Sequence, residues 1–125
     1  MKVLFIGNSH TFVHYGPARV ARFCASHGKP VETTMLTHPG VGLDWHLEQS
    51  QTYYNLLYGG YDAVVLQHNA HPFPGREPLP QAGVRIPALV PADTDIYLYM
   101  TWIEKNNPQG QKAQPTAYAV LARHT

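Results

Sequence analysis

Ser9 is the first residue whose type and setting suggest chemistry. It stands in the small-residue turn Gly7-Asn8-Ser9-His10-Thr11, which ends a short β-rich apolar run over residues 2–6. A hydroxyl on a turn after a buried strand is a common position for a nucleophile in α/β enzymes. A serine in such a turn also often caps the helix that follows. The turn by itself leaves both roles open.

Three further polar clusters follow apolar runs of strand type. They are His38-Pro39-Gly40 after residues 31–36, His68-Asn69 after residues 63–67, and Thr101-Trp102 after residues 95–100. The carboxyl ends of parallel strands meet at one edge of a sheet, and ligands bind outside that edge. The four clusters would bring a hydroxyl, a glycine N–H, an amide side chain and several imidazoles together. These are the components of an acyl-transfer site.

The elements between these clusters predict the fold that positions them. Helical patterns cover residues 17–27, 43–58 and 113–123, with a shorter one near 81–89. We expect Cys24, on the first helix, to be a small residue of the protein core. On the second helix we expect an apolar face formed by Leu43, Leu47, Tyr54, Leu57 and Tyr58. Alternating strands and helices predict an α/β fold, a three-layer α/β/α domain over residues 1–125 with a doubly wound parallel sheet.

Composition excludes several classes of partner. The 125 residues carry a formal net charge of +1, with no basic stripe, so we expect neither a nucleic-acid nor a membrane-surface partner. Cys24 is the single cysteine, which rules out an intrachain disulfide. The N-terminal apolar run is too short for a signal-peptide core or a membrane span. The sequence therefore predicts a cytoplasmic protein.

The motifs after the strands resemble those of the SGNH (GDSL-type) serine hydrolases, a superfamily of esterases. GNSHT is similar to the first block of that superfamily, and PGVGLDWH to the second, in which a glycine N–H contributes to the oxyanion hole. VVLQHNAHP stands in the place of the third block, in which an asparagine side chain is another donor, and YLYMTW resembles the fourth strand of a bacterial subgroup. The resemblance spans nearly the whole chain and implies a flavodoxin-like sheet with strand order 2-1-3-4-5.

The resemblance also implies a role for individual residues. Ser9 would be the nucleophile, and its own N–H would join the oxyanion hole. Gly40, or alternatively Gly42, would give the second N–H, and the Asn69 side chain would give the third donor. The implied reaction is hydrolysis of a small-molecule ester or an acetylated saccharide through an acyl-enzyme, without cofactor or metal. A non-catalytic module that retains the cleft is the alternative, and a nucleotide-binding domain fits less well because GNSHT lacks the glycines of a phosphate loop.

One block of the superfamily has no counterpart in this sequence. Its Asp-x-x-His block, which follows a fifth strand, provides the base for the serine, and no Asp-x-x-His occurs in these 125 residues. We therefore expect a family member truncated before that block, with impaired activity, because a serine hydroxyl without a base is a poor nucleophile at neutral pH.

Histidines elsewhere in the chain are the alternative source of a base. Those considered near the active edge are His10, His38, His68 and His71, and we expect them to line the cleft or face solvent rather than to act as the base. His46 is expected to pack at the start of the second helix. The spacing of His10 with His14 and of His68 with His71 would also suit a metal ion, but no Cys or Glu stands beside either pair.

The fourth strand carries a structural consequence of the missing block. Without a fifth strand, residues 95–100 form an apolar edge of the sheet, and unpaired edges favour pairing with another chain. We therefore expect self-association through residues 95–100.

Overall fold

The computed structural model describes residues 1–69 and 78–125. The strands are β1 (Lys2–Gly7), β2 (Glu32–Thr37), β3 (Ala63–Leu66) and β4 (Asp95–Leu98). The helices are α1 (Ser9–Phe12), α2 (Gly16–Ser26), α3 (Leu43–His46), α4 (Ser50–Tyr58), α5 (Leu79–Gly83) and α6 (Pro108–Leu121). Short 3-10 turns lie at Val13–Tyr15 and Pro87–Leu89.

The four strands form one parallel sheet in the order β2-β1-β3-β4. In β1, Ile6 lies opposite Leu36 on one side and Leu66 on the other, and Leu66 lies opposite Leu98. The central position of β1 explains its nearly continuous apolar sequence, because both of its faces are buried. The predicted α/β class, with a parallel sheet and helices, is confirmed.

The two faces of the sheet are covered unequally. Leu4, Ile6, Val64 and Leu66 lie in a core cluster that also contains Leu56 of α4, Leu79 and Ala82 of α5, and Tyr118 and Leu121 of α6. On the other face, Phe5 and Val65 line a groove of about 370 Å³ together with Pro17 and Val20 of α2. Helices therefore lie on both faces, an arrangement compatible with three α/β/α layers.

The expected single helix over residues 43–58 is wrong, because the chain leaves the helical conformation between α3 and α4. Gln49 is extended, with φ −95° and ψ 127°, and begins α4 as its N-cap. The break changes the helical phase, so Thr52 and Leu56 are the buried residues of α4. Tyr54, Leu57 and Tyr58 are instead exposed by 64%, 44% and 80%.

Two other helices also differ from expectation. In α2 only Pro17 is buried, and Cys24 is half-buried on a helix whose Phe23 faces solvent. The last helix begins at Pro108 rather than at 113, because the Asn107 side chain accepts a hydrogen bond from Gly110 N–H and caps the first turn.

The described part of the chain contains no helix long and apolar enough to cross a membrane. Within that same part, β4 pairs with β3 and with no other strand, and Tyr97 on it is 54% exposed. The outer edge of β4 thus presents unpaired backbone groups.

Candidate functional site

The turn after β1 presents Ser9 and is held by Asn8. Asn8 caps α1, because its side-chain oxygen accepts a hydrogen bond from His10 N–H at 3.1 Å. Its Nδ2 donates to the Val41 carbonyl at 2.9 Å, which ties this turn to the loop after β2. Ser9 is the first residue of α1 and half-exposed, so Asn8 takes the capping role that the sequence left open for Ser9.

A buried glutamine supports the same turn from the end of β3. Gln67 Oε1 accepts hydrogen bonds from Asn8 N–H and from Thr11 Oγ1, both at 2.9 Å, and Gln67 Nε2 donates to the His68 carbonyl. Gln67 is 1% exposed, and Asn8 and Thr11 are 4% and 3% exposed. Because these hydrogen bonds are shielded from water, the turn and the end of β3 form one rigid unit.

Gly7 joins β1 to the turn and has no room for a side chain. A Cβ at this position would overlap Thr11 Oγ1 and would lie 2.6 Å from Gln67 Oε1. Its carbonyl accepts a hydrogen bond from His46 Nε2 at 2.8 Å. Burial, with a smaller effect from the neighbouring His38, lowers the pKa of His46, against the raising effects of the Gly7 carbonyl and Asp44. His46, the last residue of α3, is therefore a neutral structural donor to the end of β1.

The start of α3 lies against two of the residues that follow β3, His68 and Asn69. Leu43 N–H donates to His68 Nδ1 at 3.1 Å, which joins the start of α3 to the residue that follows Gln67. A Cβ on Gly42 would lie 2.7 Å from His68 Cε1 and 2.9 Å from Asn69 Oδ1. The Gly42 backbone and the Asn69 amide are thus close neighbours.

The Asn69 side chain is buried without a hydrogen-bonding partner. The residue is 6% exposed, and within residues 1–69 and 78–125 neither its Nδ2 nor its Oδ1 makes a hydrogen bond. A buried amide of this kind costs roughly 1–3 kcal/mol relative to a paired one. Unpaired buried polar groups are uncommon in native proteins.

The two glycines considered for the second N–H occupy different environments. Gly40 is exposed, has φ +69°, and has no atom within 4 Å of the position its Cβ would take. Gly42 is buried against Asn69. The packing therefore places Gly42, and not Gly40, against the Asn69 side chain.

The described histidines make no hydrogen bond to the Ser9 side chain. His10 and His38 are exposed, and His38 stacks on Trp45 with a ring separation of 4.8 Å. Within the described ranges, no histidine makes a hydrogen bond to Ser9 Oγ. His71 lies outside the described residues, and so does its pairing with His68. Trp102 is 83% exposed.

The described part of the chain contains no candidate metal site. No group of three or more His, Cys, Asp or Glu residues lies close enough there to hold an ion.

The supporting residues Gln67 and His46 were not among the predicted site residues. Gln67 is the last residue of the run AVVLQ, and the sequence pattern places it in the third strand. The available signal was a polar side chain ending an otherwise apolar buried strand, because such a side chain must find partners in the interior.

No model of a protein family matches the chain, and a search of curated proteins finds no match either.

Proposed function

We propose that this chain is a serine hydrolase of the SGNH type, which transfers the acyl group of a small ester or the acetyl group of a saccharide to Ser9. The Ser9 hydroxyl attacks the carbonyl carbon, and the carbonyl oxygen becomes negatively charged. The N–H groups of Ser9 and Gly42 and the Asn69 side-chain amide are the proposed donors to that oxygen. The carbonyl re-forms, the serine proton passes to the leaving oxygen, and the alcohol departs. Water then cleaves the Ser9 ester, which releases the acid and restores the hydroxyl.

The Asn69 amide is the observation that carries this proposal. It is buried, unpartnered within the described residues and adjacent to Gly42, and it is therefore available to donate to a bound group. Donors preorganised in this way stabilise charge that develops only in the transition state. Loss of one such donor typically lowers kcat by about 10²–10³-fold.

The connection between Ser9 and Asn69 runs through defined hydrogen bonds. Asn8 links the serine turn to Val41, next to Gly42, and Gln67 links it to the end of β3, next to Asn69. The three proposed donors therefore belong to segments that move together. This rigidity supports a site that is organised before its substrate binds.

Chemistry at Ser9 is expected to be slow. No described imidazole contacts the hydroxyl, and a triad that lacks one member retains only about 10³–10⁴-fold catalysis over water. Both attack and deacylation need proton transfer, so we expect slow turnover, with an acetyl group detectable on Ser9 between turnovers. The same missing contact favours the second candidate, a non-catalytic module that binds an ester or a carboxylate through Asn69 and Gly42.

Turnover of p-nitrophenyl acetate by the parent chain, Ser9→Ala and Ser50→Ala separates the two candidates. Ser50 is an exposed residue at the start of α4 and serves as the matched control. The hydrolase proposal predicts loss of turnover in Ser9→Ala alone. Equal turnover in all three proteins, combined with saturable acetate or saccharide binding that Asn69→Ala abolishes, would favour the binding module.

A further inference from the structure

The parallel ladder between β3 and β4 ends in an unusual way, directly before Asn69. Tyr99 N–H donates to the Leu66 carbonyl at 2.8 Å. In a regular parallel ladder the next hydrogen bond would run from His68 N–H to the Tyr99 carbonyl. Instead the Tyr118 hydroxyl lies between these two groups. It accepts from His68 N–H at 3.5 Å and donates to the Tyr99 carbonyl at 3.0 Å.

Tyr118 is well placed to act as a fixed spacer. It is 7% exposed on α6, and Leu121 one turn later is fully buried against Gly83 of α5, where a Cβ would lie 2.5 Å from Leu121 Cδ2. Packing of α5 on α6 therefore sets the position of the phenol. Burial raises the pKa of Tyr118 to about 12, so its hydroxyl keeps the proton that it donates to Tyr99.

The spacer acts on the residue that precedes Asn69. If the hydroxyl were absent, His68 N–H and the Tyr99 carbonyl would pair directly, and β3 would extend toward Asn69. The Asn69 backbone would then follow the strand direction, and its side chain would leave its place beside Gly42.

We propose that Tyr118 is a positioning residue, which separates the ends of β3 and β4 through its hydroxyl and thereby sets the location of the Asn69 amide. Its effect on catalysis rests on the proposed hydrolase function. Its effect on the geometry of residues 68–69 does not.

Tyr118→Phe tests the proposal, because it retains the buried ring and removes only the hydroxyl. Tyr61→Phe is the matched control, since the Tyr61 hydroxyl donates to Asn55 Oδ1 at 2.9 Å near the amino end of β3. We expect Tyr118→Phe, and not Tyr61→Phe, to shift the NMR signals of the His68 backbone amide and the Asn69 side-chain amide. Unchanged Asn69 signals in folded Tyr118→Phe would overturn the proposal.

A second experiment measures the rate of Ser9 acetylation in a double-mutant cycle of Tyr118→Phe and Asn69→Ala. Because small misplacements of a catalytic group lower rates by up to about 100-fold, we expect Tyr118→Phe to slow acetylation roughly 10- to 100-fold in the parent and to have no further effect in Asn69→Ala. An equal loss in both backgrounds would mean that Tyr118 does not act through Asn69 and would overturn the proposal.

The role of Tyr118 can be tested even if the proposed function fails or the variant does not fold. If the parent shows no Ser9-dependent acetylation, the proposed function fails and the NMR comparison alone decides the role of Tyr118. If Tyr118→Phe does not fold, NMR of the parent protein tests the role of Tyr118. A scalar coupling across a direct His68–Tyr99 hydrogen bond in the parent would contradict the spacer, and its absence, with slow exchange of the His68 amide, would support it.

Discussion

Replacing Gln67 with leucine removes the hydrogen bonds that hold the serine turn while it retains most of the side-chain volume. Asn8 N–H and Thr11 Oγ1 would lose their shared acceptor, and both groups are almost fully buried. A buried donor without a partner costs about 1–3 kcal/mol. Two such donors predict a loss of roughly 2–6 kcal/mol, a large part of the roughly 5–15 kcal/mol by which domains are stable.

Urea denaturation of Gln67→Leu against the parent measures this loss, with Gln51→Leu on the exposed face of α4 as the matched control. Thr11→Val sharpens the assay, because it removes one of the two donors without changing the side-chain shape. In the Thr11→Val background, Gln67→Leu should cost about 1–2 kcal/mol less, since interacting neighbours are not additive. A loss no larger than that of Gln51→Leu would refute this account of the turn.

Three further predictions follow from the geometry of the site and the sheet. Gly42→Ala should displace Asn69 and abolish Ser9 acetylation. Gly40→Ala should leave acetylation intact and lower the free energy of unfolding by about 1–2 kcal/mol, because Gly40 has a positive φ. The reverse pattern would assign the donor role to Gly40. His46 has a lowered pKa in the folded state, so the unfolded chain binds more protons, and stability should be complete above the ordinary pKa of 6.5 and fall as the pH drops below it; urea unfolding of His46→Gln should lose this dependence, and an unchanged dependence would assign it elsewhere. Residues 95–100 should mediate self-association that Tyr97→Lys weakens, and a monodisperse parent monomer in light scattering would contradict it.

The sheet was predictable from the sequence because burial on both faces leaves a direct signature. Residues 3–6 and 63–66 are continuous apolar runs, and they lie in the two central strands. Their carboxyl ends then follow from topology, which is why Ser9 and Asn69 lie at the same edge of the sheet.

The interruption between α3 and α4 was not predictable from periodicity. Residues 43–58 contain neither proline nor glycine, and the apolar spacing continues through the break. The break accompanies a long-range hydrogen bond from His46 to Gly7, which joins residues 39 positions apart. Such a contact depends on the assembled fold and has no local pattern.

The supporting contacts of the site were missed for the same reason. Gln67 and Tyr118 act through partners that are distant in sequence, the turn at Asn8 and the strand ends at His68 and Tyr99. The preference for Gly42 over Gly40 likewise depends on packing against Asn69, since both glycines fit the same short loop motif.

Acetylation of Ser9 is the most direct test of the central claim that this edge of the sheet is an acyl-transfer site. After exposure to p-nitrophenyl acetate, trypsin cleavage at Lys2 and Arg19 gives a peptide of residues 3–19 that contains Ser9 as its only serine. The proposed function predicts one acetyl group on Ser9 in tandem mass spectra, at a rate that Asn69→Ala lowers by about 10²–10³-fold. An unmodified Ser9, or the same rate in Asn69→Ala, would contradict it.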